Sequence, residues 1–137
     1  MIKPIMTSTF FLRQPSSEAG EADLQIAYDL ADTLEANRAT CAGMAANMIG
    51  ERKRIIAVMD EHDSVLVMFN PRIVHSSGQY AAEEGCLSLQ GVREAVRYRK
   101  ITVAYQDMGL RNCTRSFEGR VAQAIQHEID HCNGVLI

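Results

Sequence analysis

Apolar positions along the chain fall into two periods. Over residues 23–37, Leu24, Ala27, Tyr28, Ala31 and Leu34 recur at helical spacing, with Glu21 and Asp23 at the positive end of the dipole, which predicts an amphipathic N-terminal helix. Residues 54–59 (Arg-Ile-Ile-Ala-Val-Met) and 65–70 (Val-Leu-Val-Met-Phe-Asn) are short apolar runs joined by the polar turn 60–64, and read as a hairpin of two strands. Pro71 is expected to end the second strand, and Ile73-Val74 to begin another short one before a turn at Ser76-Ser77-Gly78. Residues 100–106 alternate as a strand, Asp107-Met108-Gly109 turns the chain, and residues 112–117 return as its partner. Gly119 separates this hairpin from a last helix over residues 120–132, with Gly134 where a left-handed stop is expected.

The remaining stretches carry no period. Residues 1–20 contain Pro4, Pro15 and Ser16-Ser17 and read as an irregular arm with one apolar patch, Thr9-Phe10-Phe11-Leu12. Residues 41–50 are rich in small side chains, which suits either a plain loop or a loop whose backbone passes close to a ligand. No repeat or linker divides the chain. Strands come first and one buried helix last, so the expected fold is a single α+β domain over residues 1–137, with antiparallel strands packed around the C-terminal helix.

Composition then excludes several classes of function. A formal charge of −3 gives no electrostatic footprint for nucleic acid or an anionic membrane. No apolar run approaches the ~18 residues of a membrane span, and Met1-Ile2-Lys3-Pro4 lacks the long apolar core of a signal peptide, so the expected compartment is the cytoplasm. Cys41, Cys86, Cys113 and Cys132 contain no Cys-x-x-Cys pair and read as reduced thiols.

The last helix carries the chemistry. In Gln126-His127-Glu128-Ile129-Asp130-His131 two imidazoles lie four residues apart on one helix face, where both can reach one metal ion, with a glutamate beside them to move protons. An open catalytic site needs three protein ligands and one position for water. The metzincin pattern continues as far as Gly134, but Ile137 stands at the place of its third histidine, which weakens a zinc-protease reading. The third ligand must lie upstream, and the stretch that offers one is Glu83-Glu84-Gly85-Cys86-Leu87-Ser88.

Glu-Gly-Cys-Leu-Ser followed by Gln-His-Glu-x-Asp-His resembles the peptide deformylases. That family's opening motif, Gly-x-Gly-Leu-Ala-Ala-x-Gln, has a counterpart in Cys41-Ala42-Gly43-Met44-Ala45-Ala46-Asn47-Met48, and the likeness runs from about Leu12 to the end of the chain. The resemblance implies that Cys86, His127 and His131 hold one divalent ion: Fe2+, with Zn2+ or Ni2+ able to substitute, since a thiolate and two imidazoles suit these ions alike. It implies that Glu128 is a proton shuttle rather than a ligand, and that the backbone N–H of Leu87 stabilises an oxyanion. Glu84 should pair with an arginine, Arg97 or Arg99, while Ala42, Gly43 and Gly85 let substrate backbone lie alongside the protein.

Two departures from the family pattern matter, Cys41 at its opening glycine and Met48 at its closing glutamine. Met48 stands where the family has a glutamine that helps hold the water and the formyl oxygen, and a thioether donates no hydrogen bond. Asn47 beside it can donate and is a candidate substitute. Gln123 and Ala124, one turn before His127, should make the side-chain pocket more polar than usual. The activity implied is removal of the N-formyl group from N-formylmethionyl peptides or a nascent chain N-terminus. The alternative is a catalytically impaired relative that binds metal and peptide.

Overall fold

Ile55, Ile56, Ala57 and Val58 are all fully buried, with no polar residue among them. Such a run needs cover on both faces of its strand. The computed structural model, which describes residues 1–137, supplies that cover. Five antiparallel strands form one sheet in the order β1 (Gly43–Ala45), β2 (Ile55–Met59), β3 (Val65–Cys86), β4 (Leu89–Gln106), β5 (Asn112–Glu118). Helix α2 (Leu24–Asn37) lies on one face and helix α3 (Gly119–Cys132) on the other. Leu30 and Leu34 of α2 pack with Ile55, Ala57 and Phe69. Ile125 and Ile129 of α3 pack with Ile56, Val58, Ile101 and Phe117. The expected α+β class is the one observed.

The hairpin β2–β3 pairs Met59 with Val65 and Ile55 with Phe69, as the two apolar runs require. β5 and α3 each differ from the expected span by one residue. The arm departs more: its apolar patch winds into one helical turn, α1 (Thr9–Leu12), in which Ser8 Oγ accepts from the Phe11 N–H at 3.3 Å and Leu12 is fully buried. Within the small-residue stretch 41–50, Gly43–Ala45 forms β1 against Val58, Ala57 and Ile56, and residues 46–49 make a 3-10 turn.

The largest correction concerns Pro71. It does not end the strand, because β3 continues to Cys86 and β4 starts at Leu89, eleven residues before the expected Lys100. The register shifts between the pairs Phe69↔Gln106 and Arg72↔Ala104, with Asn70 at φ 51°. A bulge leaves one residue unpaired, so the N–H that proline lacks is not missed there. The expected turn at Ser76-Ser77-Gly78 is strand as well: Ser77 pairs with Lys100, and Gly78, at φ 77°, lets the Arg99 side chain close to where a Cβ would meet it at 3.1 Å. Beyond this point β3 and β4 run on as a two-stranded ribbon that ends in the turn Leu87-Ser88.

Gly134 has the expected left-handed conformation, φ 76°, and a second reason to be glycine: a Cβ there would lie 2.3 Å from the Arg13 carbonyl oxygen. Gly134→Ala should therefore destabilise the protein by at least about 1–3 kcal/mol, the cost of strained backbone. Gly20→Ala, with nothing within 4 Å, is the control. Urea midpoints compare the two, and equal midpoints would refute this account of how the arm is held.

Candidate metal centre

Helix α3 is buried on its polar side as well as its apolar one. Gln126 clamps it to β4, accepting from the Tyr98 N–H at 2.8 Å and donating to the Tyr98 carbonyl at 2.9 Å. This clamp points His127 and His131, one turn apart, at the end of the ribbon, where Cys86 closes β3. The ring centroids are 4.9 Å apart. Nε2 of His131 lies 3.1 Å from Nε2 of His127 and 3.4 Å from Cys86 Sγ, and the three ligand atoms all lie within 4.8 Å of one another. The Ser88 N–H donates to the same sulfur at 3.4 Å.

These distances test whether the residues fit an ion. Bonds of ~2.0–2.3 Å in a tetrahedron put neighbouring ligand atoms about 3.3–3.7 Å apart. Two of the three separations, 3.1 and 3.4 Å, stand close to that spacing, and the third is no more than 4.8 Å. The fit is good for a divalent ion of the iron or zinc kind.

Glu84, two residues before Cys86, orients the site. Its carboxylate is buried and accepts from Arg97 at 2.7 and 3.0 Å and from Gln123 Nε2 at 2.8 Å, and it lies 2.8 Å from His127 Nδ1. Burial alone would raise its pKa, but these hydrogen bonds outweigh it and hold Glu84 at about 2. Arg97 also reaches Asp130 Oδ2 at 2.7 Å. The arginine that meets Glu84 is thus Arg97; Arg99 instead stacks on the Tyr80 ring, 4.8 Å from its centroid. The two imidazoles, so close together, cannot both be cationic. Burial opposes protonation of each, but bonds to Cys86 and Glu84 raise His127, whereas burial and then the charge of His127 push His131 down to about 3.

Glu128 is buried, and its Oε1 has no partner among the protein's own groups. Burial first, then the charge of Glu84, raises its pKa to about 7 against the opposing pull of His127, which suits a group that takes and returns protons near neutrality. Gly43 makes room for it, since a Cβ there would lie 3.2 Å from both Glu128 Cγ and Oε2.

Ala42, Gly43, Glu84, Gly85, Gln123 and Ala124 all line one cleft of about 820 Å³ that also contains Cys86, Leu87, His127 and Glu128. Met48 lines it too, with its sulfur turned back to accept from the Ala45 N–H at 3.5 Å. Asn47 offers no donor to the cleft. It is fully buried, outside the cleft lining, and its amide donates to the His131 carbonyl at 3.0 Å.

Sequence reasoning missed three residues. Asp130 carries the far side of the Arg97 pairing, a role its place inside the helix motif could have suggested. Arg120 lines the cleft two turns before His127 on the same helix face, so helical spacing pointed to it. Cys41 lines the cleft with its thiol donating to the Gly43 carbonyl and burial pushing its pKa up to about 11; its place at the opening glycine of the family motif was the signal that pointed to it.

Known proteins resemble the chain along its whole length. The family model described as polypeptide deformylase matches residues 3–137. A peptide deformylase of Clostridium beijerinckii is 45% identical over 137 residues, covering 100% of both chains. Among solved structures, a Met-Ala-Ser-bound class I type b peptide deformylase from Acinetobacter baumannii superposes with a TM-score of 0.85 at 28% identity, covering 99% of this chain and 97% of that one. A peptide deformylase from Legionella pneumophila gives a TM-score of 0.87 at 33% identity, covering 99% and 83%.

The Glu84 arrangement makes a pH prediction. A carboxylate whose pKa falls from 4.5 to about 2 on folding stabilises the protein above pH 4.5, and that stability is lost as pH drops toward 2. Arg97→Met removes the guanidinium and leaves a buried carboxylate, at a cost of about 3–5 kcal/mol. Acid unfolding followed by circular dichroism should begin at higher pH in the variant, and superposable curves would count against the assigned role.

Proposed function

The chain belongs to the peptide deformylase family, and we propose that it is a metal-dependent amide hydrolase that removes the formyl group from N-formylmethionyl peptides and nascent chains. The observation that carries this reading is the convergence of Cys86, His127 and His131 beside a buried, unpartnered Glu128. Those three residues would hold Fe2+, with Zn2+ or Ni2+ able to substitute. A bound ion would polarise the formyl carbonyl and acidify water.

The protein's own groups do the rest. β1 is an edge strand, hydrogen-bonded only to β2, so a peptide can add to its free side past Gly43. The scissile C–N bond then lies near Glu128, which takes a proton from the attacking water and delivers it to the departing amine nitrogen; formate and a free N-terminus result. The Leu87 N–H, at the ribbon tip, is the donor for the oxyanion that develops on the formyl oxygen. Gln123 turns its amide to Glu84 and to Tyr80, whose hydroxyl donates to it at 3.4 Å. With its polar atoms thus engaged, the pocket it shares with Ala124 keeps apolar surface for a methionine side chain. No helix is long and apolar enough to cross a membrane.

Met48 favours the second reading, a catalytically impaired protein that binds metal and peptide, because no side-chain amide takes the place of the family glutamine. Assay of formyl-Met-Ala-Ser with iron-loaded protein under anaerobic conditions separates the two. Turnover is expected, and Glu128→Gln should lower it about 100- to 10,000-fold while elemental analysis still finds one ion per chain. Peptide binding without turnover in the unaltered protein would establish the second reading instead. Met48→Gln restores the donor and should raise kcat/KM roughly 100-fold; an unchanged rate would show that no donor is lacking.

A further inference from the structure

Asn47 is fully buried on the 3-10 turn 46–49, and nothing in the reaction described above uses it. Its Nδ2 donates to the His131 carbonyl at 3.0 Å. That bond fixes the amide's orientation, because exchanging its oxygen and nitrogen would set two acceptors against each other. Oδ1 is therefore a directed acceptor, and it has no partner among the protein's own groups.

The opposite deficit lies on the residue Asn47 touches. His131 is fully buried, its Nε2 faces Cys86 and His127, and its Nδ1 has no protein partner. A neutral imidazole that offers a lone pair at Nε2 carries its proton at Nδ1. The structure thus places an unpaired buried donor and an unpaired buried acceptor on two residues already bonded to each other. His127 shows the complete arrangement, with Nδ1 held by Glu84 at 2.8 Å. Metal-ligating histidines engage their second nitrogen in this way, which sets both tautomer and ring orientation.

We infer that Asn47 is the positioning residue for His131, its side-chain oxygen taking the Nδ1 proton through one buried water and so fixing the ring with Nε2 free for an ion. The bridge is a water because neither atom is bonded to a group of the protein, and a buried water with polar partners on both sides satisfies two such atoms at once. The inference rests on the reading of His131 as a ligand. It gives the two aligning centres of the site separate origins: Glu84 for His127, and the turn after β1 for His131.

Zinc affinity measured by chelator competition tests this apart from catalysis. Asn47→Leu should bind zinc about 10- to 100-fold more weakly than the unaltered protein. Thr33→Val, which disturbs a buried hydrogen bond on α2 away from the cleft, should leave the affinity unchanged. In the unaltered zinc-loaded protein, 15N NMR of the imidazoles should show His131 protonated at Nδ1, and a crystal structure should show one ordered water bonded to both Nδ1 and Asn47 Oδ1. These two readouts stand even if Asn47→Leu does not fold. Equal affinities in the unaltered protein and Asn47→Leu, or an Nδ1 bonded to some other group, would overturn the inference and leave the ligand assignment standing. Failure of the unaltered protein to bind zinc would overturn both.

Discussion

A buried carboxylate that must meet three partners at once is the constraint on which the rest of this structure depends. Glu84 is brought inside at the end of a long ribbon, and it is tolerable there only because Arg97, Gln123 and His127 surround it. Those partners come from β4 and from two turns of α3, so satisfying one charge fixes the ribbon against the helix. Arg97 extends the tie to Asp130 on the same helix. The thiol two residues after Glu84 is thereby carried to the two imidazoles, and the geometry of the centre follows from neutralising a charge.

Legibility in the sequence tracks how local each feature is. The helix motif is local, and its i, i+4 spacing alone placed His127 and His131 on one face. β2 and the start of β3 were readable because apolar runs on either side of a polar turn leave few alternatives. The ribbon was not readable. Gln90, Arg93, Glu94, Arg97 and Arg99 carry no apolar alternation, since a two-stranded extension has little core to face, and its register comes from the turn at Leu87-Ser88 and from bulges. Pro71 looked like a stop because a bulge that forgives it leaves no mark in the sequence. β1, three residues long, is too short to show any period.

The same reasoning explains why Arg97 and Arg99 could not be told apart beforehand. Two residues apart on a strand, they share a face. What separates them is long-range: α3 presents Asp130 to one, while the other lies beside Gly78 and over the Tyr80 ring. Asn47 shows the reverse error. Its neighbour lines the cleft, yet the tight turn at 46–49 sends the asparagine toward the backbone of α3, because adjacent residues of such a turn point in different directions.

The three converging side chains are supplied by the end of β3 and by the last helix, with all of β4 and β5 threaded between them. No fragment that stops short of α3 can bring them together, and a nascent chain still missing its final helix offers only a lone thiol. Loop closure over that separation is slow compared with forming a hairpin. Capture of an ion would therefore come late in folding, and would hold closed a structure already assembled rather than nucleate it.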